Sequence, residues 1–171
     1  MESGATKRSF PPIVDRETRL LVLGSLPGER SLAEARYYAH PRNQFWQLMS
    51  GVIDRDLAAL DYAGRLAALR AAQVGLWDVV ESASRSGSLD ARIRDHRPNR
   101  LADLAASLPN LAAVAFNGGT AARVGRPQLA ARPDLILIAL PSSSPAFTMS
   151  LAEKGAQWRV LRPWAKKIGT R

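Results

Sequence analysis

Two blocks near the N-terminus hold most of the chemical groups of interest in this chain: Gly24-Ser25-Leu26-Pro27-Gly28, and Tyr37-Tyr38-Ala39-His40-Pro41-Arg42-Asn43-Gln44-Phe45-Trp46. Ser25, Tyr38, His40 and Asn43 supply a hydroxyl, an aromatic face, an imidazole and a carboxamide, the groups that hold a flat polar ring by stacking and by edge hydrogen bonds. Each also has an ordinary structural use. Asn43 stands where it would cap a helix beginning near Phe45, Tyr38 suits a half-buried place under a loop, and His40 suits a loop. The Gly and Pro residues of the first block suit a tight turn, while Ser25 and the amides near Gly28 could donate to a ring edge or a phosphate.

Later positions add to this set. Asp78 ends an apolar run, where a carboxylate either accepts from a ring N–H or caps a turn. Asn117 opens Asn117-Gly118-Gly119-Thr120 as a pocket wall or a helix cap. Pro141-Ser142-Ser143-Ser144-Pro145, followed by Phe147, is either a stiff loop of exposed hydroxyls and amides or a plain Ser/Pro turn.

These residues act together only if the elements before them converge. The segment 19–26 has the unbroken aliphatic character of a buried parallel strand, and 44–53 carries Phe45, Leu48, Met49 and Val52 at helical spacing. A second helix is expected over 57–72, strands over 73–80, 111–116 and 135–140, and helices over 99–108, after Gly119, and over 150–167. The polar stretch 81–100 has no clear period and reads as a functional loop with one short helical turn. The βαβ alternation predicts an α/β fold: a single-domain three-layer sandwich around a central four-stranded, mostly parallel sheet. Residues 1–12 are expected to be a flexible N-terminus and 13–171 the one domain.

Composition narrows the class. The chain has 171 residues, 46% of them hydrophobic, enough for one sizeable core. Its 24 Lys plus Arg against 15 Asp plus Glu give a formal charge of +9, a balance that favours a polyanionic partner. Without cysteine there is no disulfide, thiolate zinc site or cysteine-held cluster, and His40 and His96 lack metal-ligand spacing, so no metal or cofactor is expected. No signal pattern and no apolar run of ~20 residues is present, so a cytoplasmic protein without membrane contact is expected.

The blocks GSLPGERSL and YYAHPRNQFW, with GLWDVVESASRSGSLDARI, FNGGTAA and LPSSSPA, resemble the hypoxanthine-DNA glycosylases, family six of the uracil-DNA glycosylase superfamily, over residues 19–164. The resemblance implies a monofunctional hydrolase of base excision repair that flips a deaminated base out of DNA, hypoxanthine and uracil foremost and xanthine possible in principle, and cleaves its N-glycosidic bond. It implies Asn43 as the catalytic residue with Ser25 and His40 beside it, and Tyr38 as the stacking platform. Asp78 becomes the base reader, and Leu26 and Asn117 complete the pocket. Ser142, Ser143, Ser144, Pro145 and Arg42 become DNA contacts, and Phe147 or Pro145 the wedge that fills the vacated stack. Arg159, Arg162, Lys166 and Lys167 are either further phosphate contacts or a solvated face.

Two positions depart from the wider superfamily. Leu26 and Leu140 stand where other members place polar catalytic groups, which leaves open what stabilises the departing base. None of the four lysines, Lys7, Lys154, Lys166 and Lys167, falls in a pocket motif, so no lyase step is expected. A monomer acting on DNA with deaminated bases is expected; the alternative is a catalytically silent DNA-damage binding module of the same fold.

Overall fold

The computed structural model describes residues 6–84, 88–90 and 94–168. Its centre is a sheet of four parallel strands, β2 (Leu20–Gly24), β3 (Val74–Asp78), β6 (Ala113–Asn117) and β7 (Ile136–Leu140), in the order β3-β2-β6-β7. Central β2 is buried throughout, which accounts for its unbroken aliphatic sequence.

Alternate residues of the strands face opposite layers. Leu20, Val22, Leu76 and Ala115 pack with α2 (Phe45–Ile53), α3 (Tyr62–Ala71) and α6 (Leu151–Trp158). Leu21, Leu23, Val114 and Phe116 pack with α4 (Leu101–Ser107) and α5 (Gly119–Gly125). The expected three-layer α/β sandwich is thus the architecture observed. The short helix α1 (Glu29–Glu34) follows the turn after β2. Among the described residues no helix is long and apolar enough to cross a membrane.

The polar stretch 81–100 folds differently from the expected loop. It holds β4 (Val80–Ser84) and β5 (Arg94–Pro98), which pair antiparallel, and β4 pairs on its other side with β1 (Thr6–Arg8). A second sheet, β1-β4-β5, results, and it draws in a terminal segment expected to be loose. Its described residues are mostly exposed or half-buried, so no apolar alternation marks it in the sequence. Residues 1–5 of the expected flexible terminus, and 85–87 and 91–93 of the expected loop, lie outside the described residues.

Three helices are shorter than expected by more than a single residue, α4 by its ends alone. The helix expected from residue 57 starts at Tyr62, because Asp61 accepts a bond from the Gly64 N–H at 2.8 Å and caps it. The C-terminal helix tightens to a 3-10 turn over Arg159–Trp164, with Pro163 inside it.

Parallel register brings the last residues of the strands into one row. Gly24 lies beside Asp78, and Asn117 beside Leu140, all at the carboxyl edge where open α/β sheets hold ligands.

Close contact between α5 and the sheet depends on Gly125. A Cβ there would lie 2.6 Å from Phe116 Cε1 and 2.8 Å from Val79 Cγ1. Overpacking costs about 1–3 kcal/mol, more than the roughly 0.5–1 kcal/mol that Ala gains over Gly in a helix. Gly125→Ala is therefore expected to lower the urea midpoint of unfolding without changing its slope.

Candidate active site

The row of strand ends forms the floor of a cavity of about 600 Å³, within the roughly 300–1,000 Å³ range of small-ligand sites. Gly24, Asp78 and Asn117 line it from the strands; Ser25, Leu26, Tyr38, His40, Asn43, Ser142, Ser143, Ser144, Pro145 and Phe147 line it from the loops. Of the residues singled out in the sequence, Arg42 is not among those lining the cavity.

The loop carrying Tyr38 is held from several elements. Trp46 of α2 donates its Nε1–H to the Tyr38 carbonyl at 3.1 Å, Ser31 of α1 accepts from the Ala39 N–H at 3.0 Å, and the Tyr62 hydroxyl of α3 accepts from the Tyr37 N–H at 3.0 Å. These bonds hold Tyr38 in the left-handed region, at a φ of 53°, which a non-glycine residue adopts only when its surroundings demand it. The Tyr38 ring stacks on buried Phe45, centroids 3.8 Å apart and planes 14° from parallel. Phe45 does not line the cavity and so backs the tyrosine from behind.

Asp78 is 4% exposed at the end of β3. Gly24 leaves the room that the Asp78 carboxylate and the Tyr38 hydroxyl occupy: a Cβ there would lie 2.6 Å from Asp78 Oδ1 and 3.0 Å from the Tyr38 oxygen. Burial, reinforced by the Asp78 charge, raises the Tyr38 phenol well above its ordinary range, opposed by the Asn117 hydrogen bond. Tyr37 is raised likewise, by burial first and the Asp78 charge second. Both phenols are neutral donors over the working range of pH.

Asn117 is a link within the protein. Its Oδ1 accepts from the Ser143 N–H at 2.9 Å, and its Nδ2 donates to Ser143 Oγ at 2.8 Å and to the Tyr38 hydroxyl at 3.3 Å. It does not cap α5, whose N-cap is Gly118. With both amide hydrogens engaged, it holds Tyr38 and the 141–147 loop in place. Ser143, expected at the DNA surface, is 1% exposed with its hydroxyl turned inward to Asn117, so it organises the loop.

Two further expectations are modified. Ser25 donates its single O–H to Asp90 Oδ1 at 2.6 Å, so toward a ring it offers lone pairs, not the expected donor. Asn43 Oδ1 accepts from the Phe45 N–H at 3.0 Å at the entry to α2, but the N-cap of that helix is Gln44 and not Asn43; a carbonyl oxygen has a second lone pair and the amide hydrogens are a separate resource. His40 Nδ1 accepts from the Arg42 N–H at 3.1 Å, which puts the proton of the neutral imidazole on Nε2. Leu26 and Leu140, 6% and 5% exposed, pack into the apolar clusters on opposite faces of the sheet.

Sequence reasoning missed five residues of the site and its wall. Asp90 and its neighbours Ser88 and Leu89 line the cavity; they lie in the GSLD stretch, the one sign available. Arg30 of α1 also lines it. Lys154 is 1% exposed and donates to Gln44 Oε1 at 2.9 Å and the Ser144 carbonyl at 3.1 Å, while Ser143 O accepts from the Gln44 N–H at 2.9 Å. Burial lowers the ammonium below its ordinary range. Its spacing from Trp158 and Leu161, four and seven residues on, marks it as facing inward.

Comparison with known proteins agrees with this geometry. The family model of the Uracil DNA glycosylase superfamily matches residues 11–166. A hypoxanthine DNA glycosylase of Methanosarcina barkeri is 44% identical over 112 residues, which cover 66% of this chain and 71% of the relative; one from Methanosarcina acetivorans is 39% identical over the same shares. A Methanosarcina acetivorans protein solved by solution NMR and described as a candidate uracil DNA glycosylase superposes with a TM-score of 0.84 at 34% identity, covering 94% of this chain and 99% of that one.

Removing the Asn117 amide strands the Ser143 N–H in a buried place, which costs about 1–3 kcal/mol. Asn117→Ala is expected to lower stability by that amount in urea titration and to speed proteolysis within 141–147. A second expectation concerns alkali. Phenols raised in the folded state above the value of 10.0 stay protonated while those of the unfolded chain ionise. The stability they confer is complete below pH 10 and declines above it, with a slope of about 1.4 kcal/mol per pH unit for each tyrosine. Tyr38→Phe is expected to flatten that decline in denaturation curves taken between pH 9 and 11.

Proposed function

The chain belongs to the Uracil DNA glycosylase superfamily, and from that premise we propose that it is a monofunctional DNA glycosylase that extrudes a deaminated base, hypoxanthine first, and hydrolyses its N-glycosidic bond. The observation carrying this reading is the pairing, in one cavity, of a braced aromatic face with a buried carboxylate at the strand ends. The names of the Methanosarcina relatives support hypoxanthine as substrate.

The chemistry follows from the donors present. A base turned into the cavity stacks on Tyr38, an interaction worth ~1–3 kcal/mol and tolerant of base identity. The Asp78 carboxylate accepts from a ring N–H. Hypoxanthine carries one at N1, whereas adenine presents a lone pair there and meets the carboxylate with repulsion. Uracil N3–H meets the same requirement, as does xanthine. Asn43 orients the water. The oxygen of that water bonds to C1′ as the C1′–N bond breaks, the electron pair leaves with the base, and the proton lost by the water passes through solvent to the base anion, which departs neutral. His40, with its neutral-state proton on Nε2, donates to the departing base and takes the place of the polar groups absent at Leu26 and Leu140.

On the DNA side, Ser142, Ser144 and Arg42 meet phosphates, and Phe147 or Pro145 fills the space left by the base. The net charge of +9 favours the approach. The protein acts as a cytoplasmic monomer, without metal, cofactor or lyase step.

Oligonucleotides with one hypoxanthine, uracil or xanthine, treated with alkali after incubation, test the reading. Hypoxanthine strands are expected to break only after alkali. Asn43→Ala is expected to lose about 10²–10⁴-fold in rate, and Asp78→Asn about ten- to a hundredfold. Salt-sensitive binding of damaged DNA with no cleavage of any lesion would instead favour a silent binding module, in keeping with the two buried leucines.

A further inference from the structure

Large apolar side chains stand exposed at Leu89, Ile136, Phe147, Leu151 and Val160 among the described residues, and two of these, Leu89 at 45% and Phe147 at 44%, line the cavity of the active site. Single exposed leucines are ordinary on a protein surface. Here two exposed apolar residues are brought to one cavity by loops far apart in sequence.

Leu89 is held in that place. On one side of it, Ser88 Oγ accepts from the Glu29 N–H at 2.9 Å; on the other, Asp90 Oδ1 accepts from the Ser25 hydroxyl at 2.6 Å. Both bonds run to the turn and first helix after β2, so the leucine is flanked by anchors while its own side chain stays exposed. Gly28 permits the approach, since a Cβ there would lie 3.3 Å from Ser88 Oγ. Phe147 is braced in a comparable way: its N–H donates to the Ser144 carbonyl at 3.1 Å, and the Lys154 ammonium sits 5.6 Å from its ring centroid.

A fixed apolar side chain beside a pocket that takes an extruded base has a physical use. Extrusion leaves a gap in the stack and exposes the faces of neighbouring bases, and an apolar residue that enters the gap replaces the lost contact. We propose that Leu89 is a second duplex-opening wedge, working with Phe147 from a separate loop to hold the stack apart while the base occupies the cavity. This rests on the glycosylase reading of the same pocket. A wedge acts only where there is a stack to open, so its contribution belongs to paired DNA and not to the bond-breaking step.

The test compares Leu89→Ala, Leu89→Phe and the native protein on one hypoxanthine oligonucleotide, presented as a single strand and as a duplex with cytosine opposite the lesion. The duplex rate of Leu89→Ala is expected to fall about tenfold or more further than its single-strand rate, given an unstacking cost of roughly a few kcal/mol, and Leu89→Phe is expected to recover the duplex rate. A 2-aminopurine beside the lesion reports unstacking without cleavage, and its fluorescence on binding is expected to rise less with Leu89→Ala than with the native protein. An unchanged ratio of duplex to single-strand rate, or an equal loss on both, would overturn the wedge and make Leu89 a pocket wall. If the native protein cleaves neither substrate, the glycosylase reading fails, and the fluorescence comparison still decides for or against the wedge.

Discussion

Asn117 ends β6 with a carboxamide that makes three bonds in a buried place, to the Ser143 N–H, the Ser143 hydroxyl and the Tyr38 hydroxyl. The bonds join three parts of the chain far apart in sequence: a central strand, the loop after β7 and the aromatic loop before α2. They bond the stacking face and the 141–147 loop directly to the end of one strand. The loop is tied to the same frame a second time through Gln44, whose N–H donates to Ser143 and whose side chain accepts from Lys154. Trp158 adds a third connection, its Nε1–H donating to the Pro141 carbonyl at 2.9 Å. A loop rich in serine and proline becomes a defined wall because buried donors and acceptors leave it one arrangement in which all are satisfied.

The electrostatics of the floor follow from the same crowding. Asp78 sits almost fully buried, and the phenols of Tyr37 and Tyr38 are pushed upward by burial and by its charge, so both stay neutral hydroxyls. Lys154, the other buried ion, lies behind the loop wall and is held by two acceptors. Asp78 thus faces the cavity while Lys154 braces its wall from behind. Gly24 is the steric condition for this arrangement. Any side chain there would meet both the Asp78 carboxylate and the Tyr38 hydroxyl.

The central sheet was legible in the sequence because its inner strands are buried on both faces. Strands covered on two sides are apolar along their length, as β2 is throughout and β6 is up to Asn117. The second sheet was not legible. Its strands carry Thr6, Lys7 and Arg8 in β1 and Glu81, Ser82 and Ser84 in β4, residues that give no alternation, and the pairing of Thr6 with Ser84 joins positions too distant for any local signal. Helix ends were misjudged for a similar reason. Leu57 and Leu60 fit the period of α3, but the Asp61 cap decides where that helix starts.

For the site, the sequence by itself determined which groups are available, a carboxylate, two carboxamides, hydroxyls and an aromatic face, and that they follow strands and so gather at one edge of the sheet. The link to a base-excising family came from the blocks that carry those groups. Only the tertiary structure decided how each group is used: that Asn117 bonds inward, that Ser143 is buried, that Ser25 gives its proton to Asp90, and that Lys154 faces the core. The physical reason is that a residue type specifies what bonds a side chain can make, whereas the partner that takes up those bonds comes from elsewhere in the chain and is set by register and packing.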